Sequence, residues 1–444
     1  MKAVIASLVL IAVAIAAVIG IRFAPREPLA TRIPSSTAVF DEHGRLLRLT
    51  LASDQQYRLW TPLNEAPKEF VDALLLHEDQ HFYRHAGFNP AALVRAAFSS
   101  YSGGPHMGGS TITMQLARLM YGLNTRSVGG KLQQIVRAVQ LEMCYSKREI
   151  LEAHINLMPY GGNIQGVGAA SLIYFDKPAA RLDIAESLAL VLIPQSPARR
   201  APSGREGEEL RSARQRLFAR WVEEHPQAAD SADHVAVALQ FGSMRELPFG
   251  APHFTNYVLQ VASAPTLVGA PHVIRTTLDS RLQSLIERVL ANYIRERSST
   301  GVHNATAMLV DYRDMSVRAM IGSADFNSAA IDGQVNGTLA KRSPGSALKP
   351  FIYALAIDQG LIHPLTVLKD APTSFGPYSP ENFDGRFVCG TAGAFCQDCG
   401  SAFTGCCTEN GECVGGETAA ARIQAGKTQD VFALLDQLRS GAYI

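Results

Sequence analysis

A chain of 444 residues has room for two or three domains of ordinary size, each with its own core. Its 41 Lys and Arg nearly balance its 40 Asp and Glu, which excludes the broad basic field of a nucleic-acid binder and gives no reason to expect an acidic partner. Six of the seven cysteines lie between Cys389 and Cys413, and Cys144 stands alone in the rest, so no disulfide framework is legible in the main body.

After Met1 and Lys2, the stretch Ala3 to Ile21 is apolar and uncharged, and Arg22 and Arg26 follow it. As a helix it covers the roughly 30 Å hydrocarbon core of a bilayer, so residues 1–25 are expected to hold an uncleaved transmembrane anchor. A cleaved signal peptide is the competing reading, with small residues such as Ala14 and Ala16 near its end. Basic residues on both flanks leave orientation open. Residues 26–61 read as a connector, with strand-like pieces at Ala38–Phe40 and Leu46–Leu51 around a turn at Asp41–Gly44.

Helical patterning dominates from near Pro67 to about Glu224, so the domain at 62–225 is expected to be mainly α. In its first helix Val71, Leu74 and Leu75 recur at helical spacing, Glu78 falls on the same face, and Phe82 continues the stripe. A carboxylate in a core position is costly unless paired or protonated, and a pKa raised towards neutrality is what general acid/base chemistry needs. The plainer reading is a helix-end Glu turned towards water. His85 and Gly87 are expected to end that helix, and Asn89-Pro90 to open the next.

Within Gly108 to Gly122, Ser110 reads as an N-cap; Ile112, Leu116 and Leu119 share an apolar face, and Thr111, Gln115 and Arg118 a polar one. Hydroxyl, amide and guanidinium groups beside the free N–H groups of a helix start suit a phosphate or sugar ligand, although a capped surface helix looks the same. The spacing then predicts a helix over Lys131–Met143 with Leu132, Ile135, Val136, Val139 and Met143 inward. Ser146 to Glu149 form a capping box for another, with Ile150, Leu151, His154, Ile155 and Met158 on one face and Glu152 and Asn156 on the other. Gly161 to Gly168 mark a sharp turn or a close backbone approach.

In this order the blocks resemble the peptidoglycan glycosyltransferase domain (glycosyltransferase family 51) of bifunctional class A penicillin-binding proteins. The motif E-D-x-x-F-x-x-H-x-G is met by Glu78, Asp79, Phe82, His85 and Gly87. The second, G-x-S-T-x-x-Q-Q-x-x-K-N, is met by Gly108, Ser110, Thr111 and Gln115, with Met114 for the first Gln and Arg118 for the Lys. The fourth, K-x-x-I-L-E-x-Y-x-N, is met by Lys147, Ile150, Leu151, Glu152 and Asn156, with His154 for the Tyr. The third, R-K-x-x-E, reads Gly130, Lys131, Leu132, Gln133, Gln134, so an amide stands where the family carries a second glutamate, as in the 1C-type branch.

The resemblance implies a lysozyme-like α fold and polymerisation of lipid II, in which the growing glycan loses its undecaprenyl pyrophosphate to the C4 hydroxyl of the incoming unit. It implies Glu78 as general base, and Asp79, His85, Gly109, Ser110, Thr111, Gln115, Arg118, Lys131, Gln134, Glu152 and Asn156 as substrate-binding residues. Arg118, Lys131 and the helix start at Ser110 would lie near the pyrophosphate. No cofactor is required; a divalent cation, Mg or Mn, could assist, but no metal cage is visible in the sequence. The partners implied are lipid II, the growing glycan and the membrane, not nucleic acid. The location implied is the bacterial inner membrane, single-pass, with the catalytic domains on the periplasmic side.

A linker is expected at 226–270. From His272 a strand and the helix Ser280 to Arg297 lead to a hairpin, Ala305–Val310 and Val317–Ile321. Arg342 to Phe351 then carry S-x-x-K at Ser346 and Lys349, on a helix whose buried face is expected to hold Leu348, Ile352 and Leu355. One helical turn brings an ammonium to a hydroxyl, the acylation arrangement of penicillin-binding proteins and β-lactamases. With Tyr378 to Asp384, residues 271–388 resemble part of a transpeptidase domain with a β-lactamase-like fold. Beyond Phe387 neither S-x-N nor K-T-G follows, so transpeptidation is expected to be absent and penicillin binding is in doubt. The tail at 389–444 could be a zinc module through Cys396, Cys399, Cys406 and Cys407, or a disulfide knot. The preferred reading is sequence without a folding history, such as the out-of-frame end of a truncated gene, because no apolar period precedes Val431. The fold class expected is therefore α+β and multidomain. The functional alternatives to polymerisation are a non-catalytic scaffold for glycan or synthesis partners, and lysozyme-like glycan cleavage.

Overall fold

The structure is a computed structural model that describes residues 26–90, 110–195, 204–263, 272–343, 345–369, 374, 377 and 389–391; of 345–346, 367–369 and 389–391 it describes the backbone alone. The expected anchor, the helix after Pro90, Gly108, Gly109, the stretch Tyr378 to Asp384 and the cysteines beyond Thr391 lie outside the described residues. Among the described residues no helix is long and apolar enough to cross a membrane. The chain divides into two compact units, up to Arg281 and from Leu282.

In the first unit Ala38–Phe40 (β1) and Leu46–Leu49 (β2) pair antiparallel around the expected turn. Helix Lys68–Glu78 (α1) buries Phe70, Ala73, Leu74 and Leu76, while Val71 and Leu75 are only half-buried, so the core stripe is rotated from the expected one. α1 also stops at Glu78 and not at His85. The Asp79 carboxylate accepts from the Ile112 N–H at 3.0 Å and pairs with His85, which turns the chain out of the helix; Phe82–Arg84 is then a single 3₁₀ turn that buries Phe82.

Helix Ile112–Tyr121 (α2) is capped by Thr111, whose hydroxyl accepts from the Met114 N–H at 3.2 Å; the expected cap, Ser110, is engaged elsewhere. Helix Val128–Cys144 (α3) starts on Ser127 and turns Gln134, Ala138 and Leu141 inward. Leu132 and Val136, expected inside, are 62% and 49% exposed. The rotation is set by Gln134, whose amide is buried in two hydrogen bonds that a solvent-facing position would forgo. Helix Lys147–Leu157 (α4) has the expected Ser146–Glu149 capping box. That cap contributes about 1 kcal/mol. The fully buried Ile150, Leu151 and Ile155 each contribute about 1.5–3 kcal/mol, so packing decides where α4 sits.

Pro159–Gly161 (β3) and Ile164–Gln165 (β4) form a small hairpin, with Gly161 and Gly162 at positive φ. A Cβ on Gly168 would stand 2.5 Å from the Leu59 carbonyl, so this glycine run serves both a turn and a close approach. Helix Val167–Phe175 (α5) follows, then Ile184–Leu192 (α6), which packs on α1 and on Glu208–Glu224 (α7). After Pro252–Ala262 (α8), Val273–Arg275 (β5) pairs parallel with β1, Ala38 against Val273, completing the order β2-β1-β5. Asp41 holds the turn, accepting from the N–H groups of His43 and Arg45 and from the Ser280 hydroxyl. Burial alone would raise its pKa; the bonds from Ser280, Arg45 and His43 keep it below the ordinary carboxylate value.

The second unit contains most of helix Ser280–Arg297 (α9) and the antiparallel hairpin Ala307–Val310 (β6) and Val317–Ile321 (β7). Gln283 on α9 pairs with the Met320 backbone as another strand would, donating to its carbonyl at 3.1 Å and accepting from its N–H at 2.8 Å. A 3₁₀ turn at Gly345–Leu348 leads into helix Lys349–Asp358 (α10). Leu348 and Ile352, expected to be buried, are 46% and 59% exposed. Ser346 lies in that 3₁₀ turn and Lys349 opens α10; the Ser346 side chain lies outside the description. Val367–Lys369 (β8) pairs antiparallel with Cys389–Thr391 (β9), so the Cys-rich tail begins as a strand.

Candidate active site

Glu78, at the C-terminal end of α1, borders a cleft of about 370 Å³ whose walls also include Ser110, Gln115, Arg118, Gln134, His154 and Gln195. Its carboxylate is 13% exposed and is held by two neutral donors: Gln115 Nε2 at 2.8 Å on Oε2 and Gln195 Nε2 at 3.1 Å on Oε1. Gln115 comes from α2 and Gln195 from the turn after α6, so the packing of α6 on α1 helps to fix the acid. A positive group stands nearby. Lys131 donates to the Ser110 hydroxyl at 2.7 Å and to Gln134 Oε1 at 3.0 Å, and burial, followed by the Arg118 charge, lowers its pKa.

Gln134 has a second bond, Nε2 to the buried Met114 carbonyl at 2.6 Å. A glutamate here would turn a carboxylate oxygen towards that carbonyl with no proton to offer. The amide is therefore matched to its surroundings, with its oxygen on a cation and its N–H on a backbone acceptor.

Asp79, His85 and Thr111 are brought together, but as a brace behind the cleft. His85 Nε2 lies 2.9 Å from Asp79 Oδ2, and its Nδ1 accepts from the Gly87 N–H at 3.2 Å, which places the ring proton on Nε2. The Thr111 hydroxyl donates to the Gly87 carbonyl at 2.6 Å. Gly87 itself has φ +96°, and a Cβ would lie 2.9 Å from the Ala138 carbonyl oxygen, so a glycine is required. Glu152 and Asn156 do not line the cleft. Glu152 accepts from the Trp60 indole at 3.1 Å and the Leu63 N–H at 3.0 Å; Asn156, fully buried, bonds both the N–H and the carbonyl of Thr61. The two residues fasten the segment 60–63 to α4. Gly109 lies outside the described residues, and Ser346 and Lys349 belong to the second unit.

Two wall residues were not singled out as candidate site residues. Gln195 carries no motif, and only the packing of α6 on α1 brings it to Glu78. His154 stands at the Tyr position of the fourth motif and on the inward face of α4, and it is 1% exposed. Neither ring nitrogen has a hydrogen-bond partner among the described residues. Burial above all, and then the Arg118 charge, lower its pKa to about 4, against the opposing pull of Glu78 and Asp79. Between that value and the ordinary 6.5 the unfolded chain binds a proton that the folded chain refuses, so stability is complete above pH 6.5 and falls as the pH drops towards 4. The loss is of order 3 kcal/mol. Urea titrations at pH 7.5 and 4.5 should show it in the parent and not in His154→Phe; equal acid sensitivity in both would remove His154 as the cause.

The Transglycosylase family model matches residues 43–222, and that of the penicillin binding protein transpeptidase domain matches 305–387. Penicillin-binding protein 1C of Escherichia coli (strain K12) is 36% identical over 364 residues, which cover 81% of this chain and 45% of that protein. Penicillin-binding protein 2D of Bacillus subtilis (strain 168) is 29% identical over 376 residues, covering 81% of this chain and 53% of its own. The chain spans about half the length of these curated relatives. The crystal structure of penicillin-binding protein 1A from Haemophilus influenzae aligns with 82% of this chain and 59% of that one at TM-score 0.33 and 15% identity, too loose a likeness to argue from.

Proposed function

From a chain that pairs a transglycosylase domain with a penicillin-binding-protein transpeptidase domain, as the bifunctional class A penicillin-binding proteins of the 1C type do, we propose a peptidoglycan glycosyltransferase acting on lipid II. The observation that carries the reading is the joining of Glu78, Arg118 and the Lys131–Ser110 pair at one cleft. Glu78 takes the proton of the incoming C4 hydroxyl as its oxygen bonds to the anomeric carbon of the growing glycan. The anomeric C–O bond breaks, and its electron pair leaves with the pyrophosphate, whose charge Arg118 and Lys131 neutralise. Ser110 positions Lys131, and Gln115 and Gln195 position Glu78.

Among the described residues lining the cleft, Glu78 is the one carboxylate. Cleavage by a carboxylate pair is thus less favoured than transfer by a single base. One carboxylate also makes a poor cage for Mg or Mn, so no step is routed through a metal. A lipid-borne substrate requires the cleft to lie at a bilayer, and the apolar stretch Ala3 to Ile21 is proposed as the attachment, with the cleft on the periplasmic side.

The test is incubation of detergent-purified protein with labelled lipid II, followed by separation of glycan chains on a gel. Long chains are expected. No product from a folded sample would favour the scaffold reading. In the second unit Ser346 and Lys349 have no S-x-N or K-T-G motif after them in these 444 residues, so the chain by itself is expected not to retain a fluorescent penicillin. A covalently labelled band lost in Ser346→Ala would refute this.

A further inference from the structure

His154 lines the same cleft as Glu78, on a helix fixed by its cap and its buried faces. The ring is enclosed, yet neither Nδ1 nor Nε2 has a partner among the described residues. Roughly nine in ten buried polar groups are hydrogen-bonded, and two open positions on one ring are a cost that phenylalanine of similar shape would avoid. Packing alone therefore does not explain the residue. A neutral imidazole has one donor and one acceptor, and its charged surroundings are Glu78 and Asp79 on one side of the balance and Arg118 on the other. That pair of functions matches a sugar hydroxyl, or the N–H and carbonyl of an acetamido group.

We propose that His154 is a substrate-contacting residue whose ring pairs with a hydroxyl or acetamido group of the sugar on which Glu78 acts; the sugar assignment rests on the glycosyltransferase reading above. The ring is neutral at working pH, since burial lowers its pKa to about 4, and so it orients the sugar without competing for the anionic leaving group.

The test uses the full chain in detergent, labelled with ¹⁵N-histidine, and a soluble GlcNAc–MurNAc tetrasaccharide as the probe. The His154 ring nitrogens, assigned by their loss in His154→Phe, are expected to shift on saturation. With lipid II, His154→Phe is expected to raise KM about tenfold, the worth of a neutral hydrogen bond, with a smaller change in kcat. His154→Gln, which again presents a donor and an acceptor, should recover most of the loss. The thermal midpoint of His154→Phe should equal or exceed the parent's, which separates lost contact from lost fold. A parent that polymerises, with ring signals that do not move and a His154→Phe KM unchanged, overturns the contact alone. A parent that makes no polymer but whose ring signals shift with the tetrasaccharide upholds the contact and overturns the polymerase reading.

Discussion

Glu78→Gln is expected to reduce glycan polymerisation by about 10²–10⁴-fold while leaving the fold in place. The substitution changes one oxygen to an NH₂ in a side chain of the same shape. Glu78 now accepts from two amides, Gln115 and Gln195, and a glutamine can accept from only one of them. One charge-assisted hydrogen bond is therefore lost, about 1.5–3 kcal/mol, the smaller part of the ~5–15 kcal/mol that holds an ordinary domain. Loss of product thus cannot be assigned to unfolding. The measurement is the initial rate of lipid II consumption for both proteins, with thermal midpoints taken on the same samples. A variant that keeps more than a tenth of the parent rate would take Glu78 out of the chemistry. It would leave the cleft without another described carboxylate to replace it.

The largest stability effect is expected outside the cleft lining, at Arg214 on α7. Its guanidinium is fully buried and forms a fork on Glu206, Nε to Oε1 at 2.9 Å and Nη2 to Oε2 at 2.5 Å, while it also donates to the Val235 and Val237 carbonyls. The Glu206 carboxylate accepts one further bond, from the Leu239 N–H. Arg214→Leu leaves a buried carboxylate without its cation and two backbone carbonyls without donors, which should cost about 3–5 kcal/mol. Replacing both partners, Arg214→Leu with Glu206→Leu, should restore a substantial part, because the stranded charge is then gone. Trp60 and Trp221 are the chain's two tryptophans and both lie in the first unit, so urea unfolding followed by tryptophan fluorescence reports on this unit. A single variant losing less than about 1 kcal/mol would show that the pair is not needed.

The elements legible in the sequence were those that local chemistry specifies. The Ser146–Glu149 capping box opens α4 as expected, and β1 and β2 flank the Asp41–Gly44 turn. Less legible were features decided by a partner distant in sequence. Asp79 ends α1 early because Ile112 and His85 claim its carboxylate, and Ser110 leaves its capping position to Thr111 because Lys131 engages its hydroxyl. On α3, hydropathy favours Leu132 and Val136 as core, yet the bonds of the Gln134 amide to Lys131 and the Met114 carbonyl turn it inward in their stead.

The candidate site divides along the same line. Motif spacing picked out Glu78, Ser110, Gln115, Arg118 and Gln134, which share the cleft. It could not separate them from Asp79, His85 and Thr111, which brace it, or from Glu152 and Asn156, which fasten residues 60–63 to α4. Residue type alone does not say whether a polar group faces a ligand or the backbone behind it. Gln195 depends on helix packing, which no local pattern encodes.

The parallel pairing of Ala38 with Val273 has a consequence for how the protein is born. On the ribosome the hairpin of β1 and β2 can close as soon as both strands emerge. The other edge of β1 must wait until the helical body and the strand after it have been made, roughly 10–50 s later at ordinary translation rates of about 5–20 residues per second. For that interval an apolar strand edge is open to wrong partners. The nascent helices must therefore cover it or fold quickly enough to bring β5 back to it.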